Sequence, residues 1–152
     1  MLFLIVKLFH VFFAILAVGS TVLFGMWLSL AVKDRTSLPF ALKSIGTLSR
    51  RVTTPSYLMM LATGALMLYT GRLPLLQSWL DVALVLYVSA VLISMLVQAP
   101  TLRQQIQLIE TEGPGSAGFI ALAKRGKNTA MLLEGIVFVI LILMVTKPTF
   151  WG

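Results

Sequence analysis

The sequence has no cysteine and a single histidine, His10, among its 152 residues. Without thiols there are no disulfides, thiolate metal sites or cysteine nucleophiles. With one imidazole, any centre built on two histidines must take the second from another chain. Charge is also scarce: Asp, Glu, Lys and Arg make up 11% of the residues, against about 25% in a typical soluble domain. Carboxylates are scarcest, with five Asp and Glu against twelve Lys and Arg. No phosphate loop, HExxH helix, dinucleotide fingerprint or nucleophile–base pair occurs, so nothing points to hydrolysis or phosphoryl transfer.

What fills the chain instead is apolar. Hydrophobic residues make up 59% and the mean hydropathy is +0.98. A soluble domain of this size leaves roughly a third of its potential surface wet, so the solvent for most of this chain is lipid. The net charge of +7 does not indicate nucleic acid, because no basic stripe with interleaved aromatics accompanies it. In a membrane protein such residues mark cytoplasmic loops and meet anionic headgroups.

Four apolar segments emerge, each near the roughly 20 residues that a spanning helix needs. They cover about residues 2–32, 52–70, 79–99 and 128–146. The first stops at Lys33-Asp34-Arg35, the third at Pro100, and the fourth at Lys147 and Pro148; proline after a helix is an ordinary stop. The apolar run of the first segment continues well past the small residues at 17–19, which favours a retained helix over a cleaved signal. "TLRQQIQLIETE" (101–112) spaces apolar residues helically and either extends the third helix to about residue 112 or lies on the membrane surface. "GPGSAG" (113–118) then breaks it. Loops 33–51 and 100–127 carry nine of the twelve basic residues; Arg72, Lys147 and Lys7 are the other three. The positive-inside rule makes those two loops cytoplasmic and puts both termini outside. Trp27, Tyr69, Trp79, Phe150 and Trp151 fall near expected helix ends, as interfacial aromatics do. The expected fold is all-α: one integral-membrane domain over residues 1–152, an antiparallel four-helix bundle.

Ionisable side chains in membrane segments are costly and default to functional candidates. They are Lys7, His10, Asp81 and Glu134. On a helical wheel His10 heads a stripe of small residues, Ala14, Ala17 and Thr21, which in membranes marks a helix–helix contact. That turns His10 into the bundle. There it either bonds a carbonyl or hydroxyl of a neighbouring helix, or ligates haem b, or joins methionine at a copper site. Lys7 lies where it can snorkel to the outer headgroups, pair with Asp81, or meet a haem propionate. Glu134 sits about two turns into the fourth helix; Arg50, Arg51 and Lys127 are on the right side to pair with it, and a proton relay is the alternative. Thr63-Gly64, flanked by Ala62 and Ala65, forms a close-packing patch on the second helix, and "TTP" (53–55) reads as that helix's start.

Taken together, "KLFHVFFAILAVGS", "TTP" with "LATGALML", "LYVSAVL" leading into "LRQQI", and the closing "LMVTKP" resemble a bacterial family of predicted integral membrane proteins of unknown function, of about 150 residues and four helices. The resemblance covers essentially the whole chain. It extends distantly to HemJ-type protoporphyrinogen oxidases, which bind haem b, and to CopD-like copper-resistance proteins. The HemJ likeness implies a haem-ligand role for His10 alone. The sequence lacks a second histidine, an arginine early in helix one and a helix-one tryptophan at "AILAVGS".

Three functions follow as expectations. The first is a non-catalytic or accessory subunit of a bacterial inner-membrane complex, in contact with lipid and with other membrane chains or a second copy. The second is a haem b-binding redox or haem-handling protein with His10 as axial ligand. The third is a copper-handling protein.

Overall fold

A computed structural model describes residues 1–71 and 77–149. Arg72, Phe150 and Trp151, read above as loop charge and interfacial aromatics, lie outside the described residues. The described residues form four helices: α1 (Leu2–Ala31), α2 (residues 38–71), α3 (Ser78–Thr111) and α4 (Ala117–Thr146). By length and composition α1, α3 and α4 can cross a membrane. The sequence reading expects four spans, and α2 falls short of that composition. The cause is its polar side chains, of which Thr53, Ser56 and Thr63 are buried inside the protein and not turned to lipid.

Pro55 and Pro100 both sit inside continuous helices. Pro100 ends the apolar stretch at 79–99 but not the helix, which runs on to Thr111, close to the expected extension to about residue 112, while Pro55, expected at a helix start, lies well within α2. A proline in an α-helix removes one N–H and its ring strikes the carbonyl four residues back. Here each proline is preceded by one π-helical turn, Ser49–Thr53 and Ser94–Gln98. The Thr54 N–H bonds the Ser49 carbonyl, and the Ala99 N–H bonds the Ser94 carbonyl, five residues back in each case. The widened turn makes room for the ring. The same spacing, S-x-x-V-x-x-P, occurs at 49–55 and 94–100.

Two more corrections concern the basic loops. Most of loop 33–51 is helix, because Leu38, Ala41, Leu42 and Ile45 repeat on one face and are all buried. Residues 117–127 are the first turns of α4, capped by the Ser116 hydroxyl, which accepts from the Phe119 N–H at 3.2 Å. What remains as turn is short. In one, Asp34 Oδ1 accepts from the Thr36 hydroxyl (2.6 Å) and backbone N–H (3.1 Å); in the other, Gly113 takes φ +84°, a conformation open to glycine.

The helices associate in antiparallel pairs. α1 lies along α2, and α3 lies along α4, while α1 and α4 meet sparsely. The pairs come together at the basic end, where Ala31, Leu38, Ala41, Leu42, Ile109 and Phe119 form the larger core cluster. A smaller one, Ala83, Ile140 and Leu143, joins α3 to α4. At the basic end Lys43 pairs with Glu110, and the buried Gln105 donates to the Leu122 carbonyl at 2.8 Å. Gly126 lies directly against that amide and has no room for a Cβ.

Candidate functional site

His10 and the Thr63-Gly64 patch, separate features in the sequence, meet across the α1–α2 contact. Gly64 admits the imidazole: a Cβ there would lie 3.2 Å from His10 Cε1. His10 Nδ1 is 3.1 Å from the Thr63 hydroxyl oxygen. That hydroxyl gives its one proton to the Met59 carbonyl at 2.7 Å, so towards His10 it is an acceptor. In the tautomer that matches this arrangement Nδ1 carries the proton and Nε2 the lone pair. Two turns nearer the basic end Ala17 is fully buried in the same seam. Beyond it Ser20 and Thr53 bond at 2.8 Å. This is how a membrane helix pair holds polar residues at low cost: each hydroxyl or imidazole finds a partner across the seam or on its own backbone.

The other candidates lie apart from His10. Lys7 is exposed on α1. Asp81 occupies the first turn of α3, where a carboxylate complements the helix N-terminus. Among the described residues Lys7 and Asp81 form no ion pair, and Glu134 pairs with neither Arg50, Arg51 nor Lys127. Arg51 stands exposed in the π turn of α2. Glu134 instead looks across to α1, where a Cβ on Gly25 would be 3.7 Å from its Oε1. It borders a cleft of about 430 Å³ between α1 and α4, whose wall includes Val18, Thr21, Gly135 and Phe138.

Two tyrosines beside this region went unremarked in the sequence. The Tyr87 hydroxyl of α3 donates to the Tyr57 carbonyl of α2 at 2.7 Å, and the rings lie 6.5 Å apart. The Tyr57 side chain lies near Thr21 and Glu134. All four helices thus contribute to one polar cluster: Thr21, Tyr57, Tyr87 and Glu134. A hydroxyl-bearing aromatic inside a span, not at its end, is the signal that could have found it. Outside the spans, the Thr36 hydroxyl and N–H hold the Asp34 carboxyl below its ordinary value of 3.8.

Among the described residues no three His, Cys, Asp or Glu side chains gather as a metal site. His10 has one ring nitrogen held at the Thr63 hydroxyl.

Long apolar helices, buried hydroxyls in helix seams and a cationic end together define a polytopic helical membrane protein. The chain belongs to the family described as predicted integral membrane protein (DUF2269), whose family model matches residues 4–148. No curated protein and no solved structure matches it. The comparisons do not extend the likeness to HemJ-type or CopD-like proteins.

Proposed function

We propose that the protein is a non-catalytic subunit of a bacterial inner-membrane complex, docking a partner on its basic end. In this reading all four helices span, both termini face outward, and residues 33–51 and 100–127 lie in the cytoplasm. The observation that carries it is the packed core at that end. Loops bearing lysine and arginine are enough to orient a membrane protein. Here seven of the nine cations, all but Lys33 and Arg35, stand on helices held by Leu42, Ile109 and Phe119 and by the Gln105–Leu122 bond. Nine of the twelve basic residues lie at this end, all exposed, against three of the five carboxylates. A rigid, folded, positively charged platform suits a partner with an acidic surface, because fixed charges steer association and set register. Charge reversal at Arg103, Lys124 and Arg125 tests it. The variant is expected to insert and fold normally yet to lose the partner. Retention of the partner at unchanged affinity counts against docking at this face.

A second reading is favoured by the His10–Thr63–Met59 chain: haem b held by His10 through Nε2. Lys7, one turn away, would meet a propionate, and the iron would supply one-electron chemistry. Copper bound by His10 and methionine is the third. A reduced-minus-oxidised spectrum with metal analysis of gently purified protein separates them. A Soret band lost in His10→Ala supports haem; a colourless, metal-free protein removes both.

A further inference from the structure

Glu134 is seven residues past Lys127, about 10 Å further along α4 at 1.5 Å per residue. At that depth an ionised carboxylate needs a counter-charge, because hydrocarbon solvates it poorly. Among the described residues none lies within ion-pair distance. The carboxylate is exposed, in the α1–α4 cleft whose other walls are apolar apart from Thr21. The rim residues Val22 and Phe138 are exposed on the outer surface (49% and 65%), so the cleft opens sideways to the bilayer. Beside the carboxylate, Gly135 leaves open space where a Cβ would meet nothing within 4 Å. The volume of about 430 Å³ falls in the range of small-molecule sites.

We propose that this cleft binds a lipophilic monocation that enters from the bilayer, with Glu134 as its counter-ion. The complementarity lies in one carboxylate, apolar half-open walls for the body of the ligand, and the Phe138 ring for a cation–π contact. Cation and proton then compete for the same oxygen atoms. Binding to the protonated protein releases one proton from Glu134, so charge balances and affinity falls as pH falls. The groups facing Glu134 are few. α2 brings Tyr57 nearby, α3 brings Tyr87 behind Tyr57, and α1 brings the uncharged Thr21 and Gly25. The site is separate from the basic platform and from His10, so it stands or falls independently of the docking and haem readings.

The test is binding of tetraphenylphosphonium to the full chain in lipid nanodiscs, by equilibrium dialysis against empty nanodiscs across a pH series. Saturable binding of about one cation per chain, weakening as pH falls, is expected. Glu134→Gln should weaken it at least about tenfold and remove the pH dependence. Glu134→Asp should retain part of it. Gly135→Leu keeps the charge but fills the space, and should also weaken binding. If Glu134→Gln does not fold, Gly135→Leu and the wild-type pH series carry the decision. Partition no greater than into empty nanodiscs overturns the proposal, and so does binding unaffected by Glu134→Gln or by pH. A wild type that excludes the cation because a second copy fills the cleft, shown by cross-linking through Gly135→Cys, overturns it too.

Discussion

At the scale of single residues, the protein's polar side chains act mostly as fasteners. His10 is the clearest case, seated on Gly64 and bonded to Thr63. Its inward orientation was legible from the small-residue stripe. Its partner was not, because nothing local links residues 53 positions apart. Thr63→Val removes the acceptor and leaves Nδ1–H unsatisfied, so a loss of about 1–3 kcal/mol is expected in reversible unfolding from mixed micelles. In the same variant, nitrogen NMR of His10 should lose its preference for the Nδ1–H tautomer. Gly126→Ala forces a Cβ into the Gln105 amide and breaks a buried bond to Leu122; a cost of about 1–3 kcal/mol follows. Asp34 gives the pH dependence. Its folded value is depressed, so its stabilising contribution is complete above 3.8 and is lost as pH falls through the depressed value. Acid unfolding curves of wild type and Asp34→Asn should coincide in the limit of low pH and separate above that range.

At the scale of elements, the apolar runs were easy to read, and the helices built around them were less so. Hydropathy finds what lipid must cover, and a helix need not end where lipid does. Hence residues 38–51 and 117–127, polar enough to be taken for loop, turned out helical. The apolar face at 38, 41, 42 and 45 was present in the sequence but shorter than a span. Pro55 misled for a different reason. The rule that keeps proline to helix ends assumes α geometry, and a π turn relaxes it. A π turn also sets the phase between the two halves of α3, Ala83 facing α4 on one side and Thr101, Gln105 and Ile109 buried on the other. Pro100→Ala alone should leave that phase intact and change stability by less than about 1 kcal/mol. Pro100→Ala combined with deletion of Met95 gives a sequence better suited to a straight α-helix. It rotates the basic half by about 100° and should unfold that end, seen as lost near-ultraviolet dichroism of Trp27.

At the scale of the whole molecule, two helix pairs stand together at the basic end and part between α1 and α4. This division was invisible in the sequence, since composition ranks helices by hydropathy and says nothing of which ones touch. It separates the roles proposed: a packed platform at one end, a lateral cleft at membrane depth. Because the chain has no native cysteine, single cysteines report topology cleanly. Thr36→Cys and Gly115→Cys should label with an impermeant maleimide only in inside-out vesicles, and Thr149→Cys only in right-side-out ones. The most direct measurement of the central claim is native mass spectrometry of the protein extracted from its own membrane. The account predicts a complex of defined stoichiometry for the wild type. It predicts the free chain when Arg103, Lys124 and Arg125 are all changed to Glu. A wild type that flies alone, at the same mass state as the charge-reversed variant, contradicts it.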